Sequence, residues 1–241
     1  MRTLLLFDLD GTLLKSNGAG TRALNQAFKI YANIDDAIAR VDWRGKPDTR
    51  IIAETLEVHG FEPSEKAIKE ITKLYLQFIQ EAVKKYPGEL PPGIPALLEE
   101  ARRRGNFLLA LGTGNLEDGA RAKLGVYDLN RFFPVGGFAE DGFDRAELIR
   151  RAALRSAAYY QAEMGGPPPD KVVVVGDTPL DIDAAQRNGY YSLAVATGTH
   201  TLDELSACHP TLLFPDLGQV EAVLAAINGL PSQKLAFPAS T

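Results

Sequence analysis

The sequence of 241 residues predicts an α/β fold, a doubly wound parallel sheet with an inserted all-helical segment. Two observations favour the sheet: short runs that are apolar on both faces recur along the chain, and helical patterns alternate with them. A third favours the insertion, because the interval from residue 15 to residue 91 contains helical patterns but no convincing strand.

Most of the predicted strands are apolar on both faces, as parallel strands covered by helices are. They are Thr3–Phe7, Phe107–Leu111, Lys171–Val175 and Tyr191–Val195, with weaker runs at Phe133–Gly136 and Thr211–Phe214. Helical patterns separate them at Ile94–Arg104, Leu116–Lys123 and Ala146–Met164.

The insertion contains three further helical patterns, at Gly20–Tyr31, Asp48–His59 and Ser64–Tyr86. Proline and glycine at 87–88 and 91–93 mark the return of the chain to the sheet. We therefore expect an α/β core made of residues 1–14 and 92–230, a helical insertion at 15–91, and a C-terminal tail at 231–241 that is poorly anchored.

Composition excludes several classes of function. The net charge of -5 and pI near 5.3 provide no general basic field for nucleic acid or an anionic membrane. The single cysteine, Cys208, has no partner for an internal disulfide, and the three histidines show no metal-ligand spacing with it. The opening apolar run is broken by Asp8 and lacks signal-peptide features, so we expect a cytoplasmic protein. We expect it to be a monomer or a homodimer.

Acidic residues follow two predicted strands directly. Asp8 and Asp10 come after the first strand, and Asp177 and Asp181 after the run of valines at 172–175. Residues two apart in an extended segment project to one side, so Asp8 and Asp10 can share a cavity. Carboxylates without nearby His or Cys suit Mg²⁺. For Asp181 a role as a helix cap is equally consistent with the sequence.

A third polar segment follows the second strand, at Gly112-Thr113-Gly114-Asn115. Backbone N–H groups at a helix start and a threonine hydroxyl can bind a phosphate. The segment is not a dinucleotide or P-loop motif, because Glu117 stands where a third glycine would be needed and no Gly-Lys-Ser/Thr follows.

Together these motifs resemble the haloacid dehalogenase (HAD) superfamily, in its phosphoglycolate phosphatase-like branch. The resemblance rests on Asp8-x-Asp10-x-Thr12, Thr113 and Gly176-Asp177-x-x-x-Asp181, and it covers nearly the whole chain. It implies a Rossmann-like core with an all-helical type 1 cap inserted after the first motif.

The resemblance also implies a mechanism. Asp8 would attack phosphorus and carry a transient aspartyl-phosphate, while Asp10 would protonate the leaving group and then activate water. Mg²⁺ would be held by Asp8, the main-chain carbonyl of Asp10, and Asp177, and Asp181 is a further candidate metal ligand. Thr113, with the backbone at Gly114 and Asn115, would hold phosphoryl oxygens, and Thr12 would support the loop around the nucleophile and bound phosphate.

The family's basic residue, usually a lysine, is not at its expected place. Arg145 occupies that position and is the preferred candidate; an arginine would keep the charge but change the geometry. Lys123, on the helix after Thr113, is the alternative, although a lysine there is more often solvated.

The segment Arg44-Gly45-Lys46-Pro47-Asp48 resembles the branch's Gly-Lys-Thr-Asp cap segment, with Pro47 as a departure. We expect Arg44 and Lys46 to meet the non-phosphate end of a small phosphorylated metabolite, such as a carboxylate. Trp43 is expected to pack between cap helices.

The leading interpretation is a Mg²⁺-dependent phosphatase acting on a small phosphomonoester such as phosphoglycolate or a sugar phosphate. A phosphosugar mutase is the alternative, since it shares the aspartyl-phosphate step. A phospho-accepting receiver domain is disfavoured by the long insertion and the Asp-x-Asp order.

Overall fold

The computed structural model describes residues 1–235 and 237. The strands that it contains are β1 (Thr3–Phe7), β2 (Phe107–Gly112), β3 (Gly136–Gly137), β4 (Lys171–Gly176), β5 (Tyr191–Val195) and β6 (Leu212–Phe214). In this described part of the chain they form one sheet in the order β3-β2-β1-β4-β5-β6, and every pair is parallel. The predicted doubly wound parallel sheet is confirmed.

The α-helices divide between the insertion and the sheet. The insertion contains α1 (Ala19–Ala32), α2 (Asp48–Val58) and α3 (Glu65–Lys85). The rest are α4 (Ile94–Arg104), α5 (Glu117–Gly125), α6 (Arg145–Met164), α7 (Pro179–Arg187), α8 (Leu202–Ser206) and α9 (Val220–Gly229). Across residues 1–235 and 237, none of these helices combines the length and the apolar character needed to cross a bilayer.

Two hydrophobic clusters cover the two faces of the sheet, because successive strand residues point to opposite sides. Leu5 and Phe7 of β1 pack with α4, α5 and α9 on one face. Leu4 and Leu6 pack with α6 and α7 on the other. The continuous apolar runs in the sequence follow from this burial on both faces.

The helical cap, which we define as α1, α2 and α3, has its own hydrophobic cluster, in which Phe28, Ile52 and Tyr75 are fully buried or nearly so. Helix α3 begins directly after Ser64, whose hydroxyl accepts a hydrogen bond from the Ala67 N–H at 3.2 Å and so caps the helix. Leu116 and Ala139 of the core join this cluster, so the cap packs directly on the sheet domain.

The two chain segments that connect cap and core are hydrogen-bonded to each other. The Lys15 N–H donates to the Glu89 carbonyl at 2.9 Å, and the Glu89 N–H donates back to Lys15 at 3.0 Å. Their side chains also form an ion pair at 3.1 Å. This short antiparallel bridge joins the segments on either side of the cap.

The structure differs from the sequence prediction in two places. Strand β3 is only Gly136–Gly137, because Phe133 is buried against Phe7, with ring centroids 5.8 Å apart, and Pro134 has no N–H to pair. The tail is not poorly anchored at its described residues: the Gln233 side chain accepts from Val172 N–H at 2.8 Å and donates to Gly189 O at 2.7 Å. Residues 236 and 238–241 lie outside the described residues.

Candidate active site

Three buried carboxylates meet at the carboxyl edge of the sheet. Phe7 lies level with Val175 in the adjacent strand, so Asp8 and Asp177, each following its strand, are neighbours. One oxygen from each of Asp8, Asp177 and Asp181 lies within 4.8 Å of the others. All three side chains are buried, with 5%, 4% and 2% of their residues' surface exposed.

Arg145, the first residue of α6, is the cation within this group. Its Nη2 lies 2.9 Å from Asp8 Oδ1 and 2.6 Å from Asp181 Oδ1, and it also donates to the Gly112 carbonyl at 3.0 Å. The guanidinium is buried and bridges two carboxylates, as its planar fork allows. One positive charge therefore faces three negative ones.

Burial, together with the imbalance of charge, shifts the pKa values of Asp8 and Asp177. Burial raises the pKa of Asp8 to about 6 in spite of Arg145, and neighbouring Asp181 adds to the rise. Burial, followed by repulsion from Asp8 and Asp181, raises the pKa of Asp177 well above its usual range. Hard oxygen ligands that lack compensating charge fit a divalent cation such as Mg²⁺.

Small residues on two loops hold the Asp177 carboxylate in place. Gly11 has φ +86°, and a side-chain carbon there, or at Gly198, would collide with this carboxylate. The Thr12 hydroxyl, fully buried, donates to Asp177 Oδ1 at 3.1 Å. The structure thus places Thr12 behind Asp177, in support of the loop.

Asp181 serves two of the roles that its sequence position allows. It forms a capping box at the start of α7, where the Thr178 hydroxyl donates to Asp181 Oδ2 at 2.7 Å. Its other oxygen binds Arg145. Asp181 therefore caps a helix and also belongs to the carboxylate group.

Asp10 lies in a different environment, facing the start of α5. Its Oδ2 accepts from Lys123 Nζ at 2.5 Å and from Asn115 Nδ2 at 2.9 Å, while its buried Oδ1 has no protein partner in the described chain. Burial alone would raise the pKa of Asp10, but its polar neighbours, Lys123 first among them, outweigh burial and lower the pKa. Its side chain is outside the three-carboxylate group, so a metal contact by Asp10 would depend on its main-chain carbonyl.

Lys123 is not a solvated lysine, contrary to the sequence expectation. Only 5% of its surface is exposed, because the side of α5 that carries it faces the site, and Nζ donates to Asn115 Oδ1 at 2.6 Å as well as to Asp10. The structure therefore brings both candidate basic residues into the site: Arg145 beside Asp8 and Lys123 beside Asp10.

A cavity of about 410 Å³ lies between this edge of the sheet and the cap. Its wall includes Asp8, Asp10, Asp177, Arg145 and Lys123, together with Gly114 and Asn115. Thr113 is fully buried and outside this wall, where its hydroxyl accepts from Asn115 Nδ2 at 2.9 Å. A direct contact between Thr113 and phosphate stays a prediction.

Comparison with known proteins shows which family has this architecture and these motifs. A family model of haloacid dehalogenase-like hydrolases matches residues 3–189. This chain belongs to that family.

Two curated relatives place the hydrolase among phosphatases. It is 30% identical to a phosphoglycolate phosphatase of Aquifex aeolicus over 77% of this chain and 80% of that protein. It is 28% identical to a 5'-nucleotidase of Pseudomonas aeruginosa over 91% of this chain and 94% of that protein. The chain is thus a phosphoric monoester hydrolase of the phosphoglycolate phosphatase-like branch.

A solved structure shares the fold. A mutant of CbbY from Rhodobacter sphaeroides, in complex with xylulose-(1,5)bisphosphate, superposes with a TM-score of 0.71 at 21% identity, covering 91% of this chain and 96% of that one. The similarity supports the arrangement of a parallel sheet and a helical cap.

In this hydrolase the cap contributes charged residues to the cavity wall. Arg44 lies on the wall but is largely exposed, and its Nε pairs with Asp42 at 2.9 Å. Lys46 also lies on the wall, and its Nζ pairs with Glu54 of α2 at 2.6 Å. Both cations are therefore partly compensated by acids of the cap.

The hydrolase also contains site residues that sequence reasoning missed or misplaced. Trp43 does not pack between cap helices: it is 42% exposed and lines the cavity. Asp48 lines it as well, and so do residues 197–199 after β5, whose Thr197 hydroxyl donates to Gly11 O at 2.5 Å. The available signal for 197–199 was their position directly after an apolar strand, at the same edge as the acids.

Proposed function

We propose that the protein is a Mg²⁺-dependent phosphatase that hydrolyses a small organic phosphomonoester through an aspartyl-phosphate on Asp8. The observation that carries the proposal is that two acids close in sequence, Asp8 and Asp10, have different neighbours in the structure. Asp8 faces Arg145 and the other carboxylates, whereas Asp10 faces Lys123. Asp8 can therefore share a metal ion with the neighbouring carboxylates, while the Asp10 side chain lies outside that group and is available to exchange a proton.

In the first step an Asp8 oxygen would form a bond to phosphorus as the bond from phosphorus to the leaving oxygen breaks. Asp10 would give its proton to that oxygen. Its lowered pKa keeps it ionised in the ligand-free protein, and a phosphate dianion beside it would favour the protonated form by repulsion.

In the second step Asp10 would accept a proton from water, whose oxygen attacks phosphorus and releases Asp8 and inorganic phosphate. Asp8, Asp177 and the Asp10 carbonyl would hold Mg²⁺, which supplies positive charge for the transferring phosphoryl group. Arg145 would neutralise Asp8, and Lys123 would orient Asp10.

The cap would select the leaving group. Relatives named for phosphoglycolate and for 5'-nucleotides support the class of small phosphomonoesters. Arg44 is the better candidate for a contact with an anionic leaving group, because an exposed ion pair such as Arg44–Asp42 contributes little and exchanges readily.

Turnover of p-nitrophenyl phosphate, measured with Mg²⁺ and with a chelator, tests the proposal. We expect Mg²⁺-dependent phosphate release, and a labelled acyl-phosphate that can be trapped in acid from wild type but not from Asp8→Asn. A panel of phosphoglycolate, sugar phosphates and nucleotides then defines the substrate. Efficient isomerisation of a sugar phosphate without release would favour a mutase instead, and an acyl-phosphate stable for minutes would favour a receiver.

A further inference from the structure

A carboxylate of the cap is hydrogen-bonded to the loop that follows β2, which contains Thr113, Gly114 and Asn115. Asp48, at the start of α2, is 8% exposed. Its backbone N–H donates to the Gly114 carbonyl at 2.6 Å, and its Oδ2 accepts from the Leu116 N–H at 3.0 Å. One cap residue is thus bonded to the core backbone on both sides of Asn115.

Asn115 is the junction of the hydrogen bonds around Asp10. Its Nδ2 donates to Asp10 Oδ2, and its Oδ1 accepts from Lys123 Nζ. The amide can bind both neighbours in only one orientation, because its nitrogen donates hydrogen bonds and its oxygen accepts them. A shift of the backbone at 114–116 would therefore move the groups that hold Asp10.

A second contact between cap and core lies beside the first. The Thr49 hydroxyl donates to the Ala139 carbonyl at 3.1 Å, and the Ala139 N–H donates to the Asn115 carbonyl at 2.9 Å. Residues 48 and 49 of the cap thus bind the Asn115 loop directly and through Ala139. Close approach is also required at Gly114, where a side-chain carbon would be 2.7 Å from the Lys46 carbonyl.

We infer that Asp48 is a positioning residue, which fixes the Asn115 loop from the cap so that Asp10 is oriented for proton transfer only while the cap is seated. The inference rests on the proposed role of Asp10 as acid and base. Asp48 acts through Asn115: its own hydrogen bonds are to the backbone of Gly114 and Leu116.

The dependence of rate on the leaving group separates this role from simple attachment of the cap. A nitrophenolate departs without a proton, whereas an alkoxide needs one, so loss of a positioned acid slows alkyl phosphates selectively. The constant to compare is kcat/KM, because it reports the step in which the leaving group departs. Asp10→Asn provides the reference pattern.

The experiment compares kcat/KM for p-nitrophenyl, phenyl and alkyl phosphates in wild type, Asp48→Ala, Asp48→Asn and Asp10→Asn. We expect Asp48→Ala to increase the ratio of nitrophenyl to alkyl rates by about 30-fold, less than the roughly 100-fold or more that a general acid contributes, because Asp48 only orients the acid. Asp48→Asn keeps an oxygen acceptor for the Leu116 N–H and should restore most of the alkyl rate. Glu65→Ala, an exposed carboxylate on α3, is the control and should leave the ratio unchanged.

Equal losses on all three phosphates in Asp48→Ala, or no loss, would overturn the inference. If Asp48→Ala does not fold, as judged by circular dichroism, Asp48→Ser replaces it. The serine hydroxyl is polar but is one bond nearer the main chain than the aspartate oxygens, so it is too short to replace the hydrogen bond to the Leu116 N–H. If Asp10→Asn itself leaves the ratio unchanged, the proposed function fails. If Asp10→Asn raises the ratio and the Asp48 variants do not, only this inference fails.

Discussion

Asp8 and Asp10 are two residues apart in the chain, yet their surroundings act on the two carboxyl groups in opposite directions. Burial raises the pKa of Asp8 to about 6, while Lys123 and Asn115 offset burial and lower the pKa of Asp10. Side chains at i and i+2 share a side of an extended segment, but each meets a different helix here: α6 carries Arg145 and α5 carries Lys123. The chemical difference between the two acids therefore comes from their neighbours.

Asp8→Asn should abolish turnover and stabilise the metal-free protein. Asp8 has an ordinary pKa of 3.8 and a folded value of about 6, so the native state binds the proton more tightly than the unfolded state does. Its ionisation therefore costs stability as pH rises from about 4 to 6, and the cost stays constant above that range. This loss in the free energy of unfolding amounts to at most about 3 kcal/mol.

Thermal unfolding in a chelator checks this prediction. Asp8→Asn should melt above wild type at pH 8, and the difference should shrink towards pH 4. The control is Asp183→Asn, an exposed aspartate on α7, which should follow wild type at both pH values. Equal melting temperatures of Asp8→Asn and wild type at pH 8 would show that the carboxylates do not repel as described.

Lys123→Met should move the pH profile. Removing the ammonium removes the main group that lowers the pKa of Asp10, so that pKa should rise. Because the first step needs Asp10 protonated, the alkaline limb of kcat/KM for an alkyl phosphate should move up by about one pH unit or more. Lys73→Met, on the exposed side of α3, is the matched control and should leave the pH profile unchanged. An alkaline limb that does not move in Lys123→Met would show that Lys123 does not act on Asp10.

At the scale of elements, the strands were the most predictable features. Thr3–Phe7 and Tyr191–Val195 have the bounds that their sequence pattern predicts, because burial on both faces requires continuous apolar residues. Strand β3 is different: it is two glycines, Gly136–Gly137, whose register partners in β2 are Leu111 and Gly112. No side-chain pattern distinguishes such a strand from a loop.

The site was predictable where residues follow strands, and less so where they come from helices or from the cap. Asp8, Asp10 and Asp177 follow strands, and parallel topology alone brings strand ends to one edge. The burial of Lys123 depends on which side of α5 faces the cavity, and the contacts of Asp48 depend on how the cap sits on the core. Neither relation is local in sequence.

Gly88→Ala should disrupt the bridge between the two cap connections. A side-chain carbon at Gly88 would collide with the Lys15 carbonyl, which accepts from the Glu89 N–H. The backbone must move to relieve the collision, so we expect a loss of about 2 kcal/mol in the free energy of unfolding, measured by denaturant titration. Gly229→Ala, where a side-chain carbon meets nothing within 4 Å, is the control; similar behaviour of the two variants would contradict the prediction.

At the scale of the molecule, the active-site cavity is assembled from two parts of the fold. The α/β core contributes Asp8, Asp10, Asp177 and Arg145, whereas Arg44, Lys46 and Asp48 come from the cap side. The strand ends fix Asp8 and Asp177, whereas the loop that binds Asp10 is hydrogen-bonded to Asp48 of the cap. The inferred role of Asp48 therefore makes the chemistry depend on how the cap sits on the core.

Binding of Mg²⁺ should stabilise the whole molecule more at neutral than at acidic pH. At pH 7.5 Asp8 is above its pKa of about 6 and is ionised at an electrostatic cost that a divalent cation removes, whereas at pH 5 it holds a proton that the cation must displace. The raised pKa of Asp177 acts in the same direction. A hundredfold excess over Kd contributes about 2.7 kcal/mol, or roughly 5–10 °C in melting temperature. Differential scanning calorimetry at both pH values measures the effect. Asp177→Asn should lose most of the melting-temperature shift at pH 7.5, and the control Asp183→Asn should keep it. A shift that is equal at both pH values, or that survives in Asp177→Asn, would show that the cation binds elsewhere.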